Sequence, residues 1–167
     1  HSKQNLINRY KAIRSFSNQL VDPLETEDFV IQAIDNTSPT KWHLAHVSWF
    51  FETFVLEKAI PNYESLHPQY SYIFNSYYLQ TGEPHTRSKR GLLSRPTVER
   101  VFEYRRYVDE QILNFIDGAP DEQIDELGPV IEIGNHHEQQ HQELMVTDLK
   151  YMFAQNPLYP KYKELGA

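Results

Sequence analysis

A strongly apolar stretch at residues 40–56 constrains the fold more than any other segment. Its large apolar side chains recur every three or four residues and cover more than one face of a helix. The residues from Asp35 to Ser38 favour a turn, and Pro39 suits the first position of a helix. We therefore predict a helix from Pro39 to about Ala59, capped by Ser38. Such a helix must be buried on most sides.

Three further segments have the apolar periodicity of long helices, and Thr97 suits the N-cap of one of them. These segments are residues 2–21, 97–117 and 129–155. Shorter helical turns are predicted within residues 24–34, 69–79 and 121–127. Four long helices with polar connections predict an all-α four-helix bundle, with a long irregular connection between the second and third long helices. Sites in bundles are built from side chains on facing helices.

Composition excludes several classes of function. The chain has 167 residues, the usual size of one domain. Its formal net charge of −7 disfavours a general nucleic-acid-binding role. No apolar run approaches the length of a membrane span, so we expect a soluble, cytoplasmic protein with no membrane partner. The absence of cysteine restricts any metal site to nitrogen and oxygen ligands.

Two histidines in the fourth predicted helix have the spacing of a chelate. His137 and His141 are four residues apart, so they project from one face of a helix. Gln140 precedes the second histidine, and its side chain can reach the edge of a site formed by the two histidines. The alternative is that both are ordinary surface or core residues. A packing face would have apolar residues between the two histidines, and there are none. We therefore favour a metal site whose third ligand lies elsewhere.

The third ligand has two candidates in the apolar second helix. His43 and His46 lie three residues apart there. A lone buried histidine is more often hydrogen-bonded to a neighbour than bound to a metal. Together with the pair in the fourth helix, however, one of these two becomes the natural third ligand.

A basic run from Arg87 to Arg95 interrupts an otherwise acidic chain. Long irregular connections within compact domains are usually functional or disordered. The arginines of this run are either simply solvated or they recognise an acidic small molecule, because a guanidinium pairs with a carboxylate through two hydrogen bonds.

Three separated stretches resemble one protein family. They are Ser38 to His46, Arg87 to Thr97, and His136 to Leu144. In sequence and in order they are similar to the N-terminal DinB-like domain of the ergothioneine-biosynthesis sulfoxide synthases, the EgtB family. The resemblance covers nearly the whole chain.

The resemblance implies a non-haem iron enzyme that uses dioxygen to join a thiol sulfur to the imidazole carbon of trimethylhistidine, leaving a sulfoxide. The thiol is γ-glutamylcysteine or cysteine; a similar synthase of ovothiol formation acts on histidine and cysteine. By motif, Fe(II) is bound by His46, His137 and His141. Gln140 lies near the imidazole substrate. Arg87 and Arg90 hold carboxylates of the thiol substrate.

The resemblance also implies a second domain. Synthases of this family continue into a C-type-lectin-like domain that supplies a catalytic tyrosine, so no catalytic residue is assigned within this chain. We expect residues 1–155 to form the metal-binding bundle and residues 156–167 to begin a linker to that domain. With the residues alone as a guide, the metal can equally be zinc or nickel. A DinB-like hydrolase or thiol transferase, or a non-catalytic metal-stabilised module, is then the alternative.

Overall fold

The computed structural model describes residues 2–76 and 85–162, and its regular elements in these ranges are all helical. The α-helices are α1 (Lys3–Val21), α2 (Thr40–Phe51), α3 (Glu57–Ala59), α4 (Tyr70–Ile73), α5 (Val98–Gly118) and α6 (Asp121–Ala154). The four long helices pack as a bundle, with α1 against α6 and α2 against both α5 and α6. The prediction of an all-α fold is confirmed.

Helix α2 forms the centre of the bundle. All twelve of its residues are buried, as the apolar pattern predicted. The helix continues through a π-helical turn at Glu52–Leu56 into α3. The buried Glu52 carboxylate in this turn accepts hydrogen bonds from the hydroxyls of Tyr63 and Tyr104. These bonds tie the end of the central helix to α5 and to the connection that follows.

The predicted helix starts are right in part. Ser2 caps α1 and Thr97 caps α5, each by accepting a hydrogen bond from the backbone three residues later. The prediction that Ser38 caps α2 is wrong, because Pro39 occupies that position without a side-chain cap. Ser38 is instead part of the loop packing: its hydroxyl accepts a hydrogen bond from the guanidinium of Arg90.

The predicted start of the last helix, near Pro129, is also wrong. Helix α6 begins at Asp121 and passes through the proline without a break. Proline removes one backbone donor, to the carbonyl four residues earlier. Pro129 and Asp125 are both exposed, so the carbonyl that lacks its donor belongs to the face of the helix towards water.

The connection between α4 and α5 is docked on the bundle. It contains a 3₁₀ helix at Arg87–Leu92, where an irregular run was predicted. The buried Lys41 ammonium donates to the carbonyl of Leu93 at 2.7 Å, and the Gln32 side chain accepts from the N–H of Gly91 at 2.7 Å. The predicted helix within residues 69–79 appears as α4, and its last residues lie outside the described ranges. So do residues 163–167 of the predicted linker.

Helices α2 and α6 approach each other closely at Gly134. A Cβ atom at this position would lie 2.4 Å from Cε1 of Phe51, which is closer than any real contact. Glycine is therefore required here, three residues before His137. The close approach brings the histidines of the two helices within reach of each other.

A buried charge network joins all four long helices. The carboxylate of Glu138 in α6 is 1% exposed and accepts hydrogen bonds from Arg14 of α1 at 2.9 Å and Arg105 of α5 at 3.0 Å. Ser17 donates to it at 2.7 Å. The Arg14 guanidinium also donates to Ser48 of α2 at 2.8 Å. Burial alone raises the pKa of Glu138, but the two guanidiniums outweigh it and hold the pKa at about 2.

None of the helices in the described ranges is both long and apolar enough to cross a membrane.

We predict that Glu138→Gln lowers the free energy of unfolding by about 3–5 kcal/mol, because it leaves two buried guanidiniums without their shared counter-charge. Glu132→Gln is the matched control. Glu132 also joins α6 to α1, through Arg9 at 2.8 Å, but the two side chains are 26% and 42% exposed. Exposed ion pairs contribute about 0–1 kcal/mol. Urea unfolding of both variants measures the difference, and equal losses would contradict a structural role for the network.

Candidate metal centre

Three histidines from α2 and α6 converge at one point. His46, His137 and His141 each offer a ring nitrogen, and these atoms all lie within 4.8 Å of one another. His46 is buried and the other two are half-buried. These are the three residues that the sequence motifs pointed to, and in the described part of the chain they form a group that can hold a metal ion.

The ring of His46 is fixed on both faces and at one edge. It stacks on Trp42 with ring centroids 4.5 Å apart and on Trp49 at 5.6 Å. Its Nδ1 lies 2.5 Å from the carbonyl oxygen of Phe74. A carbonyl can only accept, so Nδ1 carries the proton and Nε2 presents its lone pair.

The separation of two of these nitrogens suits one shared ion. Nε2 of His137 lies 3.1 Å from Nε2 of His46. Two nitrogens at this separation, each about 2.1 Å from a common ion, subtend about 95° there, close to the right angle of octahedral coordination. Nδ1 of His137 is buried and has no hydrogen-bond partner in the described residues.

All three rings are neutral at physiological pH, which is the form that binds metals. Burial lowers the pKa of His137 to about 4. Burial and then the neighbouring His137 lower the pKa of His46 well below its ordinary value. Burial and the three imidazoles around it lower the pKa of His141 as well.

The donor set therefore fits a divalent transition metal. Imidazole suits iron, zinc, copper and nickel, so the residues do not select one of these. Three ligands from two adjacent helices occupy one side of an octahedral ion. Such an ion would keep other coordination positions for water or substrate.

A cleft of about 570 Å³ opens over the histidines. All the predicted substrate contacts line it, together with residues of the α2 start and the outer face of α6. Among the lining residues are Gln140, Arg87, Arg90, Trp42, His43 and Asp148. Gln140 is exposed at the rim, one residue before a histidine of the group.

The two arginines occupy different depths of the cleft. Arg90 is 4% exposed; its guanidinium lies 3.5 Å from the ring centroid of Trp42 and donates to Ser38 at 2.9 Å. Arg87 is exposed at the mouth, where its guanidinium donates to the carbonyl of Asn36 at 2.5 Å. Arg90 is thus part of the wall, whereas Arg87 is accessible to a ligand.

Glu138 is turned away from the metal group. Residues 137–141 have the His-Glu-x-x-His spacing, in which zinc proteases use the glutamate as a general base. Here that carboxylate is held on the other side of α6 by Arg14 and Arg105. It cannot activate a water at the histidines. The sequence reasoning did not foresee this network.

Sequence reasoning also missed Asp148. Its Oδ2 lies 2.8 Å from Nε2 of His43, whose Nδ1 lies 3.0 Å from Nδ1 of His141. His43, the other candidate ligand, is therefore behind His141 and outside the group of three. Asp148 follows His141 by seven residues, which places it on the same helix face, and this spacing was the available signal.

Comparison with known families agrees with the fold. A profile of the DinB superfamily matches residues 9–145, and the chain belongs to this superfamily. The match supports the family resemblance at the level of the superfamily. A search of curated proteins gives no match.

We predict that His137→Ala and His141→Ala each weaken binding of Fe(II), Ni(II) and Zn(II) by more than about 100-fold. Even residues that only orient a ligand contribute 10- to 100-fold, so losing a ligand must do more. His136→Ala is the control, because His136 is exposed on the same helix and contacts Gln139 instead. Competition with a chromophoric chelator measures each affinity. Unchanged affinities for the first two variants would refute the metal centre.

Proposed function

We propose that the chain is the metal-binding domain of a non-haem iron, dioxygen-dependent sulfoxide synthase of ergothioneine biosynthesis. It would join γ-glutamylcysteine or cysteine to the imidazole of trimethylhistidine. The support beyond superfamily membership is the resemblance of three separated motifs. The observation that carries the proposal is that residues of all three motifs line one cleft.

The reaction balances without a further reductant. One thiol S–H and one imidazole C–H bond break, and one S–C bond and one S–O bond form. Dioxygen accepts the four electrons and supplies both the sulfoxide oxygen and the oxygen of one water molecule. Fe(II), when bound by the three histidines, supplies the redox centre for this chemistry.

The residues of this chain contribute binding and orientation. Arg87 at the mouth of the cleft pairs with a carboxylate of the thiol substrate, and the deeper Arg90 keeps the wall positively charged. Gln140 at the rim offers an amide to the substrate imidazole. Binding both substrates beside one centre removes the need for them to meet in solution. This proximity and orientation contribute a large part of catalysis.

The alternatives make different use of the same residues. A zinc- or nickel-dependent hydrolase needs a base beside the metal-bound water, and Glu138 is engaged elsewhere. A non-catalytic module needs the metal only for its stability. The module does not account for an accessible arginine in the cleft, whereas a transferase that acts on an acidic thiol would also use it, so the response to trimethylhistidine separates the transferase from the synthase.

We expect the iron-loaded protein, prepared without oxygen, to bind trimethylhistidine, and Gln140→Leu to weaken this binding about 2- to 10-fold while retaining iron. This range corresponds to one net hydrogen bond of about 0.5–1.5 kcal/mol. Gln139→Leu is the matched control, since Gln139 is exposed on the same helix but outside the cleft. Anaerobic calorimetry gives the affinities.

The same titrations separate the alternatives. Tight binding of zinc or nickel with no response to trimethylhistidine would favour the hydrolase or transferase. A metal that raises the melting temperature while neither an imidazole nor a thiol binds would leave only the structural module. Either result would refute the sulfoxide synthase proposal.

We also expect Arg87→Ala to weaken binding of γ-glutamylcysteine by about 1.5–3 kcal/mol, the range for a hydrogen bond to a charged group. Arg90→Ala should cost as much, but it also removes the contact with Trp42. Arg87→Lys should recover only part of the loss, because it lacks the two-pronged guanidinium. Lys89→Ala is the control: it removes the same charge from the same 3₁₀ helix at a position outside the cleft.

Calorimetry on the iron-loaded variants measures these losses, with an uncharged thiol as the reference ligand. The uncharged thiol should lose much less affinity than γ-glutamylcysteine. Equal losses for both thiols, or for the Arg87 and Lys89 variants, would show that the basic segment is structural.

A further inference from the structure

We infer that His43 and Asp148 are positioning residues of the metal centre: together they fix His141 in the tautomer that presents Nε2 to the metal. The inference rests on the metal centre of the proposed function. It concerns the orientation of a ligand, not the reaction.

The assignment follows from the order of donors and acceptors. The Asp148 carboxylate only accepts, so the nitrogen that faces it, Nε2 of His43, carries a proton. A neutral imidazole has one N–H, and Nδ1 of His43 is therefore an acceptor. Nδ1 of His141 lies 3.0 Å from it and must be the donor. The remaining nitrogen of His141, Nε2, then holds a lone pair.

These hydrogen bonds form a relay from Asp148 through His43 to His141, and the relay is anchored at Asp148. Oδ2 of Asp148 also accepts the backbone N–H of Ser38 at 3.0 Å, just before α2. His43 is buried, and its ring packs edge-on against Trp42. The carboxylate therefore cannot rotate away without losing two hydrogen bonds. Both nitrogens of His43 are engaged, which also explains why His43 is not itself a ligand.

His46 is held in the same tautomer as His141, but by a backbone carbonyl. The carbonyl of Phe74 takes the proton of its Nδ1 and leaves Nε2 for the metal. A backbone carbonyl performs on α2 what the Asp148–His43 pair performs on α6. Such partners of metal-bound histidines fix both the tautomer and the ring orientation.

Two substitutions of His43 separate hydrogen bonding from packing. His43→Asn places an amide oxygen near the position of Nδ1, so it can still accept the proton of His141. His43→Leu fills similar space without an acceptor. Asp148→Ala is a further variant at a half-buried position, where the loss of the carboxylate is tolerated more readily than a change in the core.

Nitrogen NMR of the metal-free protein above pH 7 reads the tautomer directly. We expect the proton of His141 on Nδ1 in the wild type and in His43→Asn, and a mixture of tautomers in His43→Leu and Asp148→Ala. Zinc affinity, measured by chelator competition, should fall 10- to 100-fold in the latter two variants and stay within a few-fold of the wild type in His43→Asn.

A wild-type His141 with its proton on Nε2 would overturn the inference. So would an unchanged tautomer and zinc affinity in both His43→Leu and Asp148→Ala. Failure of the wild type to bind any divalent metal would refute the proposed function instead, and the tautomer of the metal-free protein would still decide whether the relay exists.

Discussion

The buried pairing of Glu138 with Arg14 and Arg105 is the constraint on which the metal centre depends. Adjacent residues of a helix point about 100° apart. Because Glu138 must face α1 and α5, the preceding His137 is directed towards α2. A rotation of α6 that moved the histidines would separate the buried Glu138 carboxylate from both guanidiniums, at a cost of several kcal/mol. The network thus fixes the rotation of α6, while Gly134 fixes its distance from α2.

The two sides of α6 differ in charge: one carries ion pairs and the other carries neutral imidazoles. On the α1 and α5 side, the partly exposed Asp109 joins the buried Glu138 in balancing the two buried guanidiniums, so the four charges sum to zero. On the α2 side, the buried groups are neutral imidazoles. The positive charge beside them comes from Arg87 and Arg90, in a chain whose formal charge is −7. Two carboxylates, those of Glu143 and Asp148, line the same cleft, so it is not uniformly positive. Arg87 is its exposed cation, at the mouth.

Periodicity and spacing were enough to predict the four long helices, the central position of α2 and the face shared by His137 and His141. These patterns involve residues within about one helical turn, so they can be recognised without knowing the tertiary structure. The start of the last helix was misplaced because Pro129 lies inside it, which is a local error. Two other failures are tertiary. Ser38 has the chemistry of a cap, but Arg90, 52 residues later, engages its hydroxyl. Glu138 resembled an ordinary polar neighbour because its partners lie 124 and 33 residues away.

The third ligand shows why the sequence alone left two candidates. His43 and His46 differ by about 300° on α2, so both can face α6, and only the acceptors around them separate their roles. A carbonyl beside Nδ1 leaves His46 one nitrogen for a metal, whereas His43 lies between a carboxylate and a second imidazole and has none left. Asp148 therefore decides the role of a residue 105 positions earlier. The chemistry of the site depends on this hydrogen-bond order as much as on the three histidines.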